Sequence, residues 1–240
     1  MSATTGVLYG IGVGPGDPEL ITLKALRVLE RVPYVFAAAS TKNDYSLALN
    51  IVRHYIAQAE VEPLHFPMTS DRGILEQAWE ANARKVLEVL QRGQDAAFLT
   101  IGDPLTYSTY GYLLKTVKKM NPEIQAVTIP GITSYNAAAA LANIPLTEGE
   151  ESFYLVSGAR GGDRLREAIA TSDNVVMLKT YRHFDKIFET LEELGLLDCA
   201  TCISMCGLSG QTVVHDLRPL RNQKMPYLSL IIIKRKGRGF

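Results

Sequence analysis

Short apolar runs and longer amphipathic stretches alternate along the first half of this 240-residue chain. The runs predict β-strands at residues 7–11, 34–37, 96–101 and 126–129. The stretches between them, in which apolar residues recur every three or four positions, predict helices at residues 20–30, 46–58, 74–92, 107–120 and 133–142. Strands that alternate with helices are typical of a mainly parallel sheet, so the first half is predicted to be an α/β domain.

The spacing of the strands changes after residues 143–151, a polar stretch that contains Pro145 and Gly149. Beyond it, strands are predicted at residues 153–156, 175–178, 200–205, 212–215 and 227–233, and helices at residues 163–170 and 183–194. The last strands follow one another too closely for helices between them, which favours a mixed sheet. We therefore predict two α/β domains, residues 1–147 and 148–240, and interpret the charged residues 234–240 as a solvated tail.

Composition and charge narrow the classes of function. With 47% hydrophobic and 21% charged residues, the chain has the composition of an ordinary globular protein. Its 25 Lys and Arg residues balance 25 Asp and Glu residues, so no global positive field favours nucleic-acid binding. No apolar run approaches the ~20 residues that span a bilayer, and the first residues do not resemble a signal peptide. We therefore expect no nucleic-acid partner, no membrane partner and a cytoplasmic location.

The cysteine and histidine positions do not predict a metal site. The three cysteines are Cys199, Cys202 and Cys206, in or beside one predicted strand. On such a strand Cys199 faces away from the other two, while Cys202 and Cys206 share a face but stand ~13 Å apart at ~3.3 Å per residue. That separation is too large for a shared metal ion. The four histidines are dispersed, so we expect buried thiols and no metal.

Three turn-rich segments each follow a predicted strand: GVGPGD at residues 12–17, GDP at residues 102–104 and PGITS at residues 130–134. In a parallel sheet all three emerge at the carboxyl ends of strands, where ligands of open α/β sheets bind, so we expect them to converge. The first segment does not fit the dinucleotide-binding pattern G-x-G-x-x-G, because Pro15 or Asp17 stands where the last glycine is required. The phosphate-binding loop G-x-x-x-x-G-K-[ST] and the G-x-S-x-G elbow of many hydrolases are both absent.

Asp103 is the candidate catalytic residue, because it places a carboxylate between Gly102 and Pro104 at a strand end. The same position also suits a helix N-cap or a turn residue, and both interpretations stay open. The hydroxyl-rich run TYSTY at residues 106–110 suits either a ligand or the first turn of the following helix.

In order, and over essentially the whole chain, these segments resemble the tetrapyrrole (corrin/porphyrin) methylase family. The similar segments are YGIGVGPGDPELITLKA at residues 9–25, FLTIGDPLTYSTY at 98–110, IPGITSYNAAAA at 129–140, VVMLK at 175–179 and YLSLIII at 227–233. Each segment alone is a weak signal, whereas five in the right order are specific. HFPMTSD at 65–71, YSTY at 107–110 and TKNDYSLAL at 41–49 most resemble members that methylate C20 of precorrin-2 or of its cobalt complex.

The resemblance implies two α/β domains with the active site in the cleft between them, a homodimer, and S-adenosylmethionine as methyl donor with S-adenosylhomocysteine as product. Carried over position by position, it implies cofactor contacts from Pro15, Ile101, Gly102, Asp103, Thr106, Thr133, Ser134, Lys179, Cys206, Gly207 and Pro226. Lys179 stands where a methionine is expected in related uroporphyrinogen methylases, so its side chain is also a candidate to face the substrate.

The implied substrate is an acidic tetrapyrrole, so cationic side chains are expected at the site. Candidates are Lys42, Arg53, Arg72, Arg160, Lys179 and Arg182, each of which is also suited to a solvated surface. Three alternatives stay open: a methylase of the same fold that acts at another tetrapyrrole position, one that acts on another acceptor as diphthine synthase does, and a non-catalytic tetrapyrrole binder.

Overall fold

The computed structural model describes residues 5–39, 46–56 and 58–235. The chain forms two compact units, Met1–Thr133 and Ser134–Phe240. The first unit contains, in chain order, β1 (Leu8–Gly12), α1 (Leu23–Leu29), β2 (Tyr34–Ala39), α2 (Leu47–Val52), β3 (Glu60–His65), α3 (Arg72–Gln91), β4 (Ala96–Thr100), α4 (Tyr110–Met120) and β5 (Ala126–Ile129).

The strands of the first unit form one parallel sheet in the order β3-β2-β4-β1-β5. Successive residues of a strand face opposite sides, and here both sides are apolar. Leu8 and Phe98 pack with α3 and α4, whereas Ile11 and Leu99 pack with α1 and α2. The predicted α/β domain with a parallel sheet is therefore confirmed.

Helix α3 shows how the sequence forms these elements. Asp71 caps its first turn, because the Asp71 Oδ1 accepts from Gly73 N at 2.9 Å and from Ile74 N at 3.2 Å. Ala83, Val86 and Leu90 are fully buried against the sheet, and polar residues lie on the other side of the helix. Among the described residues no helix is long and apolar enough to cross a membrane.

Two elements of the first unit differ from the prediction. Strand β3 was missed because it lies at the edge of the sheet, contains Pro63, and buries only Leu64 fully. Helix α4 begins at Tyr110 and not at residue 107, because Tyr107 has a positive φ of 51° that a helix cannot include. The hydroxyl of Ser108 accepts from Tyr110 N at the start of the helix.

The second unit contains α5 (Ser134–Ala142), β6 (Phe153–Ser157), α6 (Asp163–Thr171), β7 (Asn174–Leu178), α7 (Phe184–Glu193), β8 (Ala200–Ser204), β9 (Thr212–Val214) and β10 (Ser229–Lys234). Its sheet has the order β6-β7-β10-β8-β9. Strands β6 and β7 are parallel, whereas β10 is antiparallel to both β7 and β8, and β9 is antiparallel to β8. The predicted mixed sheet is confirmed.

Helices cover both faces of the second sheet. Ile231 and Ile233 pack with residues of α6 and α7, while Leu230 and Ile232 pack with Ala138 and Ala139 of α5. Because α5 contributes its alanine face to this core, the compact units divide at residues 133 and 134, ahead of the boundary that the strand spacing suggested near residue 147.

The end of the chain corrects the interpretation of residues 234–240 as a solvated tail. Lys234 is the last residue of β10, is only 2% exposed, and pairs with Glu151 and with Glu148, the latter at 3.0 Å. The guanidinium of Arg235 donates to the carbonyl of Ile169 at 3.0 Å. These two cations are therefore part of the folded unit, and residues 236–240 lie outside the described residues.

Candidate active site

The three turn-rich segments of the first unit converge, as predicted. β4, β1 and β5 are adjacent and parallel, so their carboxyl ends lie side by side. Beyond the strands, the Val13 amide donates to the Thr100 carbonyl at 2.9 Å, and the Gly102 amide donates to the Gly14 carbonyl at 2.7 Å. The GVGPGD and GDP segments are therefore hydrogen-bonded neighbours.

Glycine is required where these segments cross. A Cβ on Gly12 would lie 2.5 Å from the Gly102 oxygen, and one on Gly131 would lie 2.1 Å from the same oxygen. Any side chain at Gly12 or Gly131 would push the segments apart. Gly102 itself has a positive φ of 70°, a conformation that glycine adopts without strain.

Asp103 joins two of the segments. Its Oδ1 accepts from the Leu105 amide at 2.9 Å and from the Thr106 hydroxyl at 3.4 Å, while its Oδ2 accepts from the Gly131 amide at 3.3 Å. The N-cap interpretation is wrong, because α4 begins only at Tyr110. Asp103 is a turn residue that also reaches the PGITS segment, and its half-buried carboxylate stands at the strand ends where a ligand would lie.

The other predicted cofactor residues of the first unit lie on the same segments. Pro15 is buried, and Ile101, Thr106 and Thr133 are half-buried. Tyr110 has a different place: it is fully buried over β1, and a Cβ on Gly10 would lie 2.0 Å from its ring. Burial raises the pKa of this phenol, and the Thr128 hydroxyl donates to its oxygen at 3.3 Å. Tyr110 therefore belongs to the core below the segments.

Four of the predicted residues of the second unit also lie together, at one end of the strands of its sheet. Lys179 follows β7, Cys206 and Gly207 follow β8, and Pro226 precedes β10. Because β10 runs antiparallel to both neighbours and lies between them, its first residue is level with the last residues of β7 and β8. Ser134, the first residue of α5, is half-buried.

A cluster of three buried hydroxyl side chains, which the sequence did not reveal, links the segments at this end of the sheet. The Ser229 hydroxyl donates to the Pro226 carbonyl at 2.7 Å and lies 2.8 Å from the Ser204 hydroxyl. The Thr180 hydroxyl donates to the Ser229 carbonyl at 3.1 Å. All three hydroxyl residues are at most 4% exposed, so each polar atom needs such a partner.

The backbone turns sharply where β7 and β8 end. Lys179 has a φ of 59°, Met205 of 53° and Gly207 of 74°, all in the left-handed region. The Met205 amide donates to the Leu228 carbonyl at 2.8 Å, so the turn after β8 is tied to the segment before β10. Non-glycine residues in this conformation are held by their surroundings and occur at ligand sites more often than elsewhere.

The cysteines differ from the predicted arrangement. Cys202 packs with the residues of α6 and α7, and so does Cys199, whereas Cys206 packs on the α5 side of the sheet. The alternation of faces fails because β8 ends at Ser204 and the chain turns at Met205. Burial raises the pKa of Cys202 to about 11 and also raises the pKa of Cys206, so both are neutral thiols near pH 7.

The described part of the chain contains no group of three or more His, Cys, Asp or Glu side chains that could hold a metal ion. A separate groove of about 1150 Å³ lies in the second unit, lined by α5, residues 143–148 and His215. It contains none of the predicted site residues.

The candidate cations are distributed over both units. Arg53 is exposed just after α2, and Arg72 forms a surface ion pair with Glu76 at 2.9 Å. Arg160, Lys179 and Arg182 lie on the segments that follow β6 and β7. Lys42 lies outside the described residues.

Comparison with known proteins identifies the family. The sequence profile of the Tetrapyrrole (Corrin/Porphyrin) Methylases matches residues 7–219. Over 233 residues the chain is 34% identical to the cobalt-precorrin-2 C(20)-methyltransferase of Salmonella typhimurium, with 96% of this chain and 97% of that protein covered. It is 36% identical to the probable cobalt-precorrin-2 C(20)-methyltransferase of Methanocaldococcus jannaschii, with 95% and 96% covered.

A solved structure has the same fold. The uroporphyrin-III C-methyl transferase from Thermus thermophilus, complexed with S-adenyl homocysteine, matches with a TM-score of 0.68 and 23% identity over 96% of this chain and 98% of that chain. Together with the converging loops and the matching profile, these similarities confirm the resemblance found in the sequence. The chain belongs to the tetrapyrrole (corrin/porphyrin) methylase family.

Proposed function

We propose that this protein transfers a methyl group from S-adenosylmethionine to C20 of precorrin-2 in cobalamin biosynthesis, and that its substrate carries cobalt. The observation that carries the proposal is the full-length similarity to two relatives that are both named for cobalt-precorrin-2. The family and the convergence of the three turn-rich segments support the same reaction.

The residues present at the two sheet edges suit S-adenosylmethionine. In the first unit, the Asp103 carboxylate, the Thr106 hydroxyl and Ile101 lie on the segment that follows β4, and Pro15 lies on the segment hydrogen-bonded to it. Such a set offers an acceptor for a cationic group and apolar surface for the rest of the molecule. We propose that the cofactor is held by Pro15, Ile101, Gly102, Asp103, Thr106 and Thr133 of the first unit and by Ser134, Lys179, Cys206, Gly207 and Pro226 of the second.

The reaction makes few chemical demands on the side chains. When bound, S-adenosylmethionine supplies an activated methyl group on a cationic sulfonium, and the acceptor carbon is electron-rich because it is conjugated to pyrrole-type nitrogens. The chain's share is to hold the donor and the acceptor carbon in line, which can contribute several kcal/mol. Tightly packed glycine turns and the hydrogen-bonded Asp103 give the segments the rigidity that such positioning needs.

A covalent relay through cysteine is not needed and not favoured. The thiols of Cys202 and Cys206 have raised pKa values because they are buried, so neither is a thiolate nucleophile near neutral pH. Direct transfer from donor to acceptor agrees with this chemistry.

The deciding experiment supplies purified protein with methyl-labelled S-adenosylmethionine and either precorrin-2 or its cobalt complex. We expect a product in which one methyl group replaces the C20 hydrogen, which is released as a proton, while S-adenosylhomocysteine is the other product. Mass spectrometry measures the gain and NMR places the methyl group at C20, and we expect faster turnover of the cobalt complex. Methylation at another ring position would assign a different member of the family. Tight tetrapyrrole binding without donor turnover would assign a binding protein.

We further propose that the protein acts as a homodimer, as the family resemblance implies, and that it acts in the cytoplasm, as expected from the sequence. Light scattering during size-exclusion chromatography measures the mass in solution, and fractionation of the source cells measures the compartment. A monomer that is fully active at assay concentration would refute the dimer.

A further inference from the structure

Aromatic and cationic side chains gather at the carboxyl ends of β6 and β7. Arg160 ends the short turn Gly158–Arg160 that directly follows β6, and Tyr181 and Arg182 lie just beyond β7. β6 and β7 are parallel neighbours in which Ser157 is level with Leu178. The two segments therefore leave the sheet side by side.

Close packing keeps the two segments in contact. A Cβ on Gly158 would lie 3.2 Å from the Leu178 oxygen, and one on Gly161 would lie 3.7 Å from the Cβ of His183. Gly161 follows Arg160 and His183 follows Arg182, so the two arginines lie on neighbouring segments.

Tyr181 and Tyr227 add an aromatic surface to this pair. Their rings meet edge to face with centroids 5.0 Å apart, and the guanidinium of Arg182 lies 5.4 Å from the centroid of the Tyr181 ring. Tyr227, which comes from the segment before β10, is 63% exposed. We refer to Arg160, Tyr181, Arg182 and Tyr227 as the Tyr–Arg cluster.

The arginines of the cluster differ from three other arginines of the same unit, which form ion pairs. Arg166 pairs with Glu193, Arg218 with Asp198 and Asp216, and Arg221 with Glu192. Among the described residues, neither Arg160 nor Arg182 forms an ion pair.

The helix N-termini beside the cluster lack side-chain caps. α6 and α7 begin next to the cluster, and neither has a side-chain cap on its first turn. The acidic groups nearby are Asp163, which is exposed in the first turn of α6, and Asp185, whose Oδ1 accepts from the Asn222 amide. Guanidinium groups without an ion pair, together with helix N-termini, favour anions at this end of the sheet.

We propose that the Tyr–Arg cluster binds the acidic side chains and one ring face of the tetrapyrrole substrate. The inference rests on the proposed function and names the part of the site that selects its substrate. Exposed guanidinium groups match carboxylates, and the exposed ring of Tyr227, supported edge to face by the half-buried Tyr181, matches a flat conjugated ring.

The sheet order separates the Arg160 end of this cluster from two of the residues proposed to hold the cofactor. Along the sheet the order is β6, β7, β10, β8, so Arg160 follows the first of these strands, and Cys206 and Gly207 follow the last. With strands ~4.8 Å apart, β6 and β8 are about 14 Å from each other. Lys179 and Pro226, which are also proposed to hold the cofactor, lie beside the cluster between these two strands, so the donor and the substrate would meet there.

The first test changes Arg160 and Arg182 to glutamine, singly and together, and measures steady-state methyl transfer to cobalt-precorrin-2. R160Q and R182Q should each raise KM roughly five- to tenfold, and kcat should stay within about threefold, because contacts held equally in ground and transition state affect KM alone. The matched control is R166Q, which removes an exposed arginine of the same unit and should leave KM unchanged.

The second test measures binding without turnover, using two porphyrins that share one ring system. Uroporphyrin carries acetate and propionate on every pyrrole ring, whereas coproporphyrin has methyl in place of each acetate. The wild type and R166Q should prefer uroporphyrin, and the R160Q/R182Q double variant should lose that preference. Y227A should weaken both porphyrins about fivefold while Y227F retains both, since only the ring is required.

The outcomes separate the two proposals. If methyl transfer occurs but the R160Q/R182Q variant matches R166Q in KM and in porphyrin preference, the cluster is refuted and the proposed function stands. If no methyl transfer occurs but the preference is seen and is lost in the double variant, the cluster stands and the proposed reaction fails.

Discussion

Replacing Asp103 by alanine separates its role in the turn from a role at the cofactor. The carboxylate accepts from the Leu105 amide at 2.9 Å, and only weakly from the Thr106 hydroxyl at 3.4 Å and the Gly131 amide at 3.3 Å. Losing one good and two long hydrogen bonds at a half-buried position should lower the free energy of unfolding by about 1–2 kcal/mol. That cost is expected whether or not a ligand is bound there.

A cofactor contact would add a second effect. Loss of a charge-assisted hydrogen bond costs ~1–3 kcal/mol of binding free energy, which corresponds to roughly five- to 150-fold in the dissociation constant. Asp103→Asn keeps an oxygen for the Leu105 amide but removes the charge. If Asp103 offsets the sulfonium, Asp103→Asn should weaken S-adenosylmethionine more than S-adenosylhomocysteine, which has no sulfonium.

The assay measures chemical denaturation and calorimetric binding of both ligands on the same samples. Asp71→Ala is the matched control, because Asp71 accepts two backbone hydrogen bonds at the start of α3 and is not among the residues proposed to hold the cofactor. It should cost ~1 kcal/mol of stability and leave both affinities unchanged. An Asp103→Ala protein with the same profile as Asp71→Ala would remove Asp103 from the site.

Three further predictions concern the thiols, the substrate charge and the acid stability. The combined variant Cys199→Ser, Cys202→Ala and Cys206→Ser should retain turnover if it folds, and a folded variant that binds donor and acceptor without transfer would contradict direct transfer. Tetrapyrrole affinity should fall between low and high salt while S-adenosylhomocysteine affinity changes little, because exposed charges are screened over ~10 Å at 0.1 M; equal salt dependence in titrations would argue against a cationic substrate site. Hydrogen bonds from Lys234 and Asn174 hold the pKa of Glu151 below its ordinary value of 4.5, so its contribution is present above that value and is lost as pH falls through the folded pKa. Glu151→Gln should therefore be less stable than wild type at neutral pH, with the difference shrinking in acid denaturation series, and a constant difference would exclude this linkage.

Much of the fold and half of the candidate site could be predicted from local pattern. The apolar runs at β1 and β4 are buried on both faces, and such runs have few alternatives to a central parallel strand. Once the strands are parallel, the segments that follow them must all emerge at the same end of the strands. The convergence of GVGPGD, GDP and PGITS was therefore predictable, whereas the need for glycine at Gly12 and Gly131 follows from their close approach to the Gly102 oxygen in the folded unit.

The tertiary structure determined the features that depend on a partner distant in sequence or on a strand at the edge of its sheet. Strand β3 shows one fully buried residue and carries a proline, so its pattern alone does not identify it, and it exists because β2 offers a pairing edge. Asp103 reaches Gly131, and Ser229 reaches Ser204, through the order of strands in each sheet.

Lys234 and Cys206 also show what local sequence pattern does not determine. Lys234 has the sequence context of a solvated tail and is buried because Glu148 and Glu151 meet it at the end of β10. Cys206 changes face because the chain turns at Met205. A sequence pattern reports the local preference of each segment, namely its period, its turns and its burial. Which charge or hydroxyl a residue finally meets depends on strand order and register, and these are set by the packing of the whole unit.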